Sequence, residues 1–309
     1  MTDLLCLGEP LFELSALPDG NFKPGFGGDV SNVAIAAARQ GADVGLITRV
    51  GNDPFGADLC RLWQREKVSS AHIGVVDGQE TGLYFVFHDE GGHHFVYRRK
   101  GSAAGRLSAD DIPETAIAGA RLLYSSGIGL GVSDSLRSAT FHAVAVARQA
   151  RVSVAFDPNL RIALWSLDEA RAVTHDLMRH CDIALPGLED ARQLTGLHAP
   201  EAIIAFYHDL GARIVALTLG ADGVAVSDGD TIRTLPGTPV DARDATGAGD
   251  CFNGIFLANY LADGNILNAA AIANRGAALS TMGYGAVDPI PFKSTLDKSM
   301  EPQTCPTEK

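Results

Sequence analysis

Short apolar segments alternate with longer helical patterns along most of the chain, and this alternation restricts the fold more than any other feature. A repeated strand–helix–strand order is typical of a parallel sheet that is covered by helices on both faces. We therefore predict an α/β fold with a mostly parallel central sheet. The predicted strands are 4–8, 44–50, 122–126, 152–157, 183–185 and 214–219, and the predicted helices between them are 30–40, 56–66, 133–150, 168–180 and 202–210.

Residues 72–103 break this alternation, because they show no helical period. Residues 81–87 and 94–98 instead alternate in the manner of strands, and the run DEGG separates them, as in a β-hairpin. We predict a small β-sheet lid formed by about 12–25 and 72–100. The pattern is compatible with a flap over a binding site, with a dimer contact and with a plain surface hairpin.

The last third of the chain returns to regular elements. Residues 224–227 and 231–234 form a strand pair around the turn sequence DGD. Two helices rich in alanine and glycine follow, at 248–261 and 266–282. No repeat or low-complexity tract interrupts the chain, and we predict a single domain over 1–309.

Composition excludes several classes of function. The 309 residues are 46% hydrophobic, which is enough for a large core, but no apolar run approaches the roughly 18–20 residues that span a bilayer. The formal net charge of −12 argues against nucleic-acid binding, which needs a cationic surface, and leaves room for a locally positive pocket. Five scattered cysteines and a start without a basic signal sequence predict reduced thiols in a cytoplasmic protein. The tail after Pro291 is predicted to be loosely ordered.

The stretch DATGAGD, at 244–250, joins a glycine-rich turn to an acid at the start of an apolar helix. Glycines let successive main-chain N–H groups converge on an anion, and a helix N-terminus adds partial positive charge. Asp250 would then accept a proton from a hydroxyl group that attacks a phosphoryl group. The alternative from spacing alone is that Asp250 caps the helix. The N–H groups that are candidates for holding a phosphate are those of Gly247, Ala248, Gly249 and Asp250.

Two segments resemble the two signatures of the ribokinase-like (PfkB) carbohydrate kinases. The first is GFGGDVSNVAIAAARQGADVGLITRVGNDPFG, and the second is DATGAGD. The resemblance extends over nearly the whole chain, and it implies a ribokinase-like three-layer α/β/α fold with a β lid, ATP as the phosphoryl donor and Asp250 as the catalytic base. It also implies that Gly28 lies against a sugar and that Asn32 binds sugar hydroxyls. The alternative for both residues is an ordinary turn before a helix.

The resemblance further implies a nucleotide site built from separate segments. LTLGADGVAV, at 217–226, is similar to the nucleotide segment of the family, and its alternative is an ordinary strand–turn–strand. Asn274 matches a position that lines the adenine pocket, and its alternative is a polar residue capping a turn. The residues implied to bind ATP are Asn159, Arg161, Thr218, Gly220, Gly223, Gly247, Ala248, Gly249 and Asn274.

One segment departs from the family pattern. The family has N-x-x-E after the strand that ends near Leu185, where it orders magnesium through water, and this chain has GLED at 187–190. We expect Mg²⁺ still to neutralise the nucleotide phosphates, with Glu189 and Asp190 as the candidate residues acting through water. The alternative is that both are first-turn acids of a helix. The resemblance also allows a monovalent cation, whose ligands the sequence does not identify.

Three segments favour a sugar acid as the substrate. FDPNLRIALW resembles the segment shared by 2-keto-3-deoxygluconate kinases and fructokinases, and it contains Arg161. VYRRKGSAAGRL and TGLYFVF resemble the keto-deoxygluconate kinases, and they contain Tyr97, Arg99 and Tyr84. Arginine binds carboxylates through its planar fork, and a buried unpaired cation would be costly beside a neutral sugar. The alternatives are contact of Arg161 with ATP, an exposed charge run around Arg99, and a place for the tyrosines in the lid core.

The sequence leaves three functions open. The first is an ATP-dependent 2-keto-3-deoxygluconate 6-kinase, and the second is a fructokinase or another neutral-sugar kinase. The third is a catalytically silent sugar- or nucleotide-binding regulator, against which the intact 247–250 run counts. Gluconate-derived and galactonate-derived acids are not distinguished. The apolar strands at 81–98 predict a homodimer through the lid.

Overall fold

A nine-stranded sheet forms the centre of the molecule, which the computed structural model describes over residues 2–17, 19–89 and 92–300. From edge to edge, and numbered in chain order, its strands are β13 (Ile232–Pro236), β12 (Gly223–Ser227), β11 (Ile214–Thr218), β10 (Ile183–Ala184), β9 (Ser153–Asp157), β8 (Leu122–Ser126), β1 (Leu4–Leu7), β4 (Val44–Gly51) and β5 (Ser69–Val76). Neighbours from β11 to β5 are parallel, whereas β12 runs antiparallel to β11 and to β13. The predicted, mostly parallel central sheet is confirmed.

Helices cover both faces of this sheet. In the central strand β1, Leu4 and Cys6 belong to the core on one face, and Leu5 and Leu7 belong to the core on the other. Because successive side chains of a strand alternate in direction, the apolar run LLCL is buried on both sides, and the three-layer α/β/α fold is confirmed. The helices of the first face are α1 (Asp29–Arg39), α2 (Pro54–Arg65), α9 (Ala248–Asp263), α10 (Ile266–Ser280) and α11 (Lys293–Met300), and those of the second are α3 (Glu114–Ala118), α4 (Gly127–Val132), α5 (Asp134–Gln149), α6 (Leu167–Met178), α7 (Leu188–Thr195) and α8 (Pro200–Asp209).

Helices α1 and α9 approach each other closely at Gly254. A Cβ atom on this glycine would lie 2.4 Å from the carbonyl oxygen of Val33 and 2.6 Å from the Cβ of Ala36. A side chain there would push the two helices apart, so this contact requires glycine in α9 and is lined by small residues such as Ala36 in α1. The close contact also brings the first turn of α9 beside the first turn of α1, where the site is formed.

A second, smaller sheet forms the lid. In spatial order its strands are β3 (Phe22–Gly27), β2 (Leu11–Ala16), β6 (Leu83–Asp89) and β7 (Gly92–Arg98). Strands β6 and β7 form the predicted hairpin. Residues 72–76, which were predicted to belong to the lid, lie instead in β5 at the edge of the large sheet. A half-buried edge strand and a lid strand show the same alternation, so the pattern alone does not assign a strand to a sheet.

The prediction of a loosely ordered tail after Pro291 is wrong for 293–300, which form α11. Leu296 anchors this helix, because its side chain is buried against the core that includes α10. The remaining tail, 301–309, is outside the described residues. Among the helices that are described, none is both long and apolar enough to cross a membrane.

Candidate active site

The candidate site lies at the carboxyl ends of the central strands. Glu9 follows β1, Ser126 ends β8, and Asp157 ends β9. Helix α9 starts at the same edge, because Asn253 in its second turn donates a hydrogen bond of 2.8 Å to Asp157. In open α/β sheets this edge is where ligands bind.

The start of α9 has the geometry of an anion site. Gly247 is the N-cap and has a left-handed φ of 74°, and a Cβ on it would lie 2.9 Å from the Cβ of Ala286. The N–H of Ala248 donates to the carbonyl of Ala245 at 3.2 Å, whereas first-turn N–H groups such as those of Gly249 and Asp250 have no helical carbonyl ahead of them. Apart from its chain neighbours and the backbone of its own helix, no heavy atom of the described residues lies within 4 Å of the position of a Cβ on Gly249. The main chain there is open to an approaching phosphate.

Asp250 does not cap its helix. It occupies the third position of α9, and no side chain caps this helix. Its Oδ2 instead accepts a hydrogen bond of 2.8 Å from Nδ2 of Asn32 on α1. Asn32 is buried, and its Oδ1 has no hydrogen-bond partner in the described part of the chain. This oxygen can accept a hydrogen bond from a ligand hydroxyl next to Asp250.

The environment of Asp250 favours its protonated form. Burial of the carboxylate, followed by the negative charge of Asp29, raises the pKa of Asp250 to about 7. The hydrogen bond from Asn32 and the positive charge of Arg161 act in the opposite direction. A carboxylate with a pKa near 7 is a stronger base than an ordinary one and is still substantially ionised at neutral pH.

The two lid tyrosines lie together on one face of the lid. Tyr84 is buried and Tyr97 is 38% exposed, and their rings stack with centroids 5.9 Å apart. The hydroxyl of Tyr84 donates a hydrogen bond to Glu13 on β2. The ring of Tyr84 also explains why residue 27 is a glycine, because a Cβ atom at this position would lie 2.8 Å from Cε1 of the tyrosine.

Arg99 is paired with a carboxylate of the protein itself. Its Nε donates to Oε2 of Glu9 at 2.6 Å, and Ser102 donates to Oε1 of the same glutamate at 2.5 Å. The side chain of Glu9 is fully buried, and that of Arg99 is only 10% exposed. The guanidinium also lies 5.4 Å from the ring centroid of Tyr97. A substrate carboxylate at Arg99 would therefore compete with Glu9.

Arg161 is the more accessible of the two predicted arginines. Its side chain is 47% exposed, and its Nη1 lies 3.8 Å from Oδ2 of Asp190 and donates to the carbonyl of Leu160 at 2.7 Å. Its charge lowers the pKa values of both Asp29 and Asp250. The structure thus brings Arg161, Asn32 and Asp250 together.

Contacts within the protein are sufficient to require a glycine at position 28. Its φ is 89°, and a Cβ there would lie 2.6 Å from the carbonyl oxygen of Glu9. This close approach of two main-chain segments requires glycine whether or not a sugar also lies there.

Three of the predicted nucleotide residues, Thr218, Gly220 and Gly223, lie at or just beyond the end of β11. Thr218 ends that strand and forms a β-bridge with Gly187. Gly220 and Gly223 have φ values of 65° and 108°, which only glycine adopts readily. The side-chain amide of Asn274 donates to the carbonyl of Pro236 at 2.8 Å, so that this residue connects α10 to the end of β13.

Comparison with known proteins decides the family. The model of the pfkB family carbohydrate kinases matches residues 1–293. The chain belongs to the pfkB family of carbohydrate kinases. It is 34% identical over 304 residues to a 2-dehydro-3-deoxygluconokinase from Thermoproteus tenax, with 94% of this chain and 92% of the relative covered. It is 33% identical over 314 residues to a fructokinase from Klebsiella pneumoniae, with 95% and 98% covered.

Solved structures agree with this assignment of the pfkB kinase. A Vibrio cholerae fructokinase double mutant with fructose, ADP and a potassium ion superimposes with a TM-score of 0.88 at 29% identity, covering 97% of this chain and 99% of that one. A putative ribokinase II from E. coli in complex with ATP and Mg²⁺ gives a TM-score of 0.90 at 25% identity, covering 96% and 98%. The resemblance inferred from the sequence and the expectation of an ATP-dependent kinase are confirmed.

The magnesium candidates of the kinase lie in different environments. Glu189 is 79% exposed in its side chain and pairs with Arg192 at 2.8 Å. Asp190 accepts the N–H of Leu160 at 2.9 Å and lies beside Arg161. Within the described ranges, no cluster of three or more His, Cys, Asp or Glu side chains could hold a metal ion. Asp190 is thus the better placed of the two to act through water.

Sequence reasoning missed four buried acids of the kinase site. Asp29 directly follows Gly28, which was predicted to be a site residue. Asp157 lies in FDPNLRIALW, the segment from which Arg161 was predicted. Asp29 falls in a predicted turn before a helix and Asp157 at the last position of a predicted strand, and acids at such positions are usually exposed. The only signal was their closeness to predicted site residues in the chain. The four acids are Glu9, Glu13, Asp29 and Asp157.

Proposed function

We propose that this pfkB kinase transfers the γ-phosphoryl group of ATP to the 6-hydroxyl of 2-keto-3-deoxygluconate, with Asp250 as the general base. The observation that carries the proposal is the constellation at the first turn of α9. There Asn32 holds the Asp250 carboxylate, the neighbouring main chain is open, and the accessible Arg161 lies nearby. The similarity to a 2-dehydro-3-deoxygluconokinase supports the same substrate.

The reaction is carried by groups of this chain and by the nucleotide. The 6-hydroxyl donates its proton to Asp250 as its oxygen attacks the γ-phosphorus, and the bond between the γ-phosphorus and the β,γ-bridging oxygen breaks to give ADP. The N–H groups at the start of α9 stabilise the charge on the transferred group. Mg²⁺ bound to ATP would neutralise the phosphates, with Asp190 as the side chain placed to hold its water. Closure of the lid excludes water, which would otherwise hydrolyse ATP.

An acidic substrate requires an arginine in the site whose guanidinium is free to bind the substrate carboxylate. Carboxylates of the protein already surround the position of the substrate, and a further carboxylate there needs a cationic partner. Arg161 meets this need, because its side chain is 47% exposed. Tyr84, Tyr97 and Asn32 would complete the substrate contacts.

A fructokinase, or another neutral-sugar kinase, is the second candidate. The salt bridge between Arg99 and Glu9 favours it, because the charge of Arg99 is already balanced inside the protein. A neutral sugar would then require no further cation. The similarity to fructokinases fits this alternative.

A substrate panel separates the two candidates. We expect kcat/KM, measured with ATP, Mg²⁺ and K⁺ in a coupled assay, to be higher for 2-keto-3-deoxygluconate than for fructose, and the galactonate epimer belongs in the same panel. Because a hydrogen-bonded charge pair contributes about 1.5–3 kcal/mol, Arg161→Ala should lower kcat/KM for the acid by about 10–150-fold. Fructose kinetics of the same variant are the control. Higher kcat/KM for fructose, or an equal loss on both sugars, would contradict the acid assignment.

We further propose a homodimer through the lid. The face of the lid opposite the stacked tyrosines carries Phe22 and Phe87, which are 41% and 39% exposed. Their rings and that of Phe85 form a cluster with centroids 5.6–6.3 Å apart. Contiguous exposed aromatic surface usually marks an interaction site.

We expect wild-type protein at micromolar concentration to elute as a dimer, and Phe87→Glu to elute as a monomer, because a charge at the centre of this patch opposes its burial. Phe292→Glu is a matched control, since Phe292 is 53% exposed and lies outside the lid. A monomeric wild type would contradict the proposal.

The cysteines support a reducing compartment for this kinase. Cys6, Cys60, Cys181 and Cys251 are free thiols, as expected of a protein in the cytoplasm.

A further inference from the structure

Asp29 is a buried acid to which the reaction above gives no role. It is the first residue of α1, it is 7% exposed, and Asn32 lies one helical turn after it. Its Oδ2 accepts hydrogen bonds from the hydroxyl of Ser126 and, at 3.2 Å, from Nδ2 of Asn159. A fully buried acid is retained at a cost in desolvation, so its place between the base and the loop of Arg161 calls for an explanation.

The bond from Asn159 to Asp29 fixes a loop with an uncommon backbone conformation. Asn159 has a φ of 31°, a left-handed value that is uncommon for residues with a side chain and that asparagine tolerates better than most. Its N–H donates to Asp157 at 2.9 Å, and the next N–H, that of Leu160, donates to Asp190 at 2.9 Å. Arg161 follows immediately. Asp29 therefore holds the side chain of the residue whose backbone conformation directs Arg161 toward the site.

Asp29 is also the charged group that raises the pKa of Asp250 most, and its effect is second only to that of burial. Arg161 and Arg99 in turn lower the pKa of Asp29, whose burial raises it. Other ionisable groups face the two carboxylates from the surrounding elements, namely Cys6 in β1, Glu9 after β1, Tyr84 in β6, Tyr124 in β8 and Asp157 at the end of β9.

We propose that Asp29 is a positioning residue for phosphoryl transfer: its carboxylate holds the Arg161 loop through Asn159 and places a second negative charge on α1 one turn before Asn32, the residue that holds Asp250. The inference rests on the proposed role of Asp250 and does not depend on which sugar is the substrate. Two functions are thus combined in one side chain, and two variants separate them. Asp29→Asn removes the charge, and Asn159→Gly removes the tether while allowing the left-handed φ.

The charge is tested by the pH dependence of kcat/KM on whichever sugar the wild type accepts. Wild-type activity should rise through an acid limb near pH 7, because Asp250 must be ionised to act as a base. Loss of a neighbouring negative charge lowers a carboxyl pKa by about one unit or more, so the acid limb of Asp29→Asn should move down by about one pH unit. Asn32→Ala should move it upward, because the hydrogen bond it removes lowers the pKa. Asp29→Glu keeps the charge and should keep the wild-type limb.

The link from Asn159 to Asp29 is tested by comparing two quantities in Asn159→Gly, namely the pH of the acid limb and KM for the sugar acid. Asn159→Gly leaves both carboxylates in place but releases Arg161, whose charge lowers the pKa of Asp250. Its acid limb should therefore stay at the wild-type pH or move upward, and it should not move down as that of Asp29→Asn does. Its KM for a sugar acid should rise at least about threefold, because Arg161 is no longer held toward the substrate. An unchanged KM for the acid would overturn this half of the proposal, and a rise in KM that is equally large for fructose would mean that the loop acts on the whole pocket rather than through Arg161.

The dependence of Tm on pH tests the same inference without turnover, so it can be measured even if the variants have low activity. The raised pKa values of Asp29 and Asp250 stabilise the fold at low pH, and this stabilisation is lost as the pH rises through the folded-state pKa values. The fall in Tm between pH 5.5 and pH 8 should therefore be smaller in Asp29→Asn than in the wild type. Parallel Tm curves together with an unmoved acid limb would overturn the inference. An active Asp250→Asn variant would show that Asp250 is not the base. That result would contradict the proposed function, and it can be told apart from a failure of the role proposed for Asp29.

Discussion

Replacing Asp250 with asparagine should reduce kcat by about 10²–10⁴-fold, the usual contribution of general-base catalysis. The amide keeps the size of the side chain but cannot accept the proton of the attacking hydroxyl. Asn32, which now donates to Oδ2, can rotate its own amide to donate or accept. KM for ATP should change little, because the N–H groups at the start of α9 remain. Steady-state kinetics at pH 8 measure the effect.

The stability of the same variant gives an independent check. Desolvation raises the pKa values of both Asp29 and Asp250, and the charge of Asp29 further raises that of Asp250, so removing one of the two charges should raise Tm at pH 8 rather than lower it. Asp241→Asn, an exposed acid in the same segment, is the matched control and should leave kcat and Tm unchanged. Turnover of Asp250→Asn within about threefold of the wild type would show that another group accepts the proton.

Most of the fold follows from local pattern. The strand LLCL is apolar at every position, and only a strand buried on both faces needs that. The glycine at 254 in α9 follows from the contact of this helix with α1, where Gly254 lies against Val33. Which sheet a half-buried strand joins is decided by distant partners, and for this reason β5 was misassigned. Helix α11 was missed because a single buried leucine, Leu296, anchors it.

The site was predictable where glycine and acid adjoin in sequence. The candidate anion-binding turn and Asp250 could be proposed from DATGAGD because the relevant groups are consecutive, but the spacing alone also allowed Asp250 to cap the helix, and the family resemblance was needed to choose between the two. The partners of Asp250 and Arg99 could not be derived in this way, since Asn32 is 218 positions away from Asp250 and Glu9 is 90 positions away from Arg99. Long-range ion pairs leave no periodic signal. An arginine that was read as a substrate clamp could therefore equally have a partner inside the protein.

The salt bridge between Glu9 and Arg99 lies where the chain passes between the large sheet and the lid. Glu9 lies between β1 and β2, and its partners Arg99 and Ser102 follow β7. A Cβ on Gly28, after β3, would lie 2.6 Å from the carbonyl oxygen of Glu9, and one on Gly82, before β6, would lie 3.0 Å from its Oε1. All four connections of the lid thus meet at this glutamate.

Glu9→Ala should therefore lower the free energy of unfolding by about 3–5 kcal/mol, because it leaves the buried guanidinium of Arg99 without its counter-charge. Chemical denaturation at pH 7 measures this loss. Glu169→Ala, which breaks an exposed pair of 2.8 Å with Arg137, is the control and should cost less than about 1 kcal/mol. Lid closure should suffer as well, so KM for the sugar should rise in the Glu9 variant.

The double variant Glu9→Leu/Arg99→Leu distinguishes a structural pair from a substrate clamp. If the two charges serve mainly each other, the double variant should be more stable than either single leucine variant, since replacing both members of a buried ion pair with apolar residues is often neutral. It should also keep measurable activity on fructose. If Arg99 instead binds the substrate carboxylate, Arg99→Leu alone should unfold at nearly the wild-type denaturant concentration and lose activity selectively on the sugar acid. That second outcome would contradict a structural role for the pair and would return Arg99 to the acid-binding set.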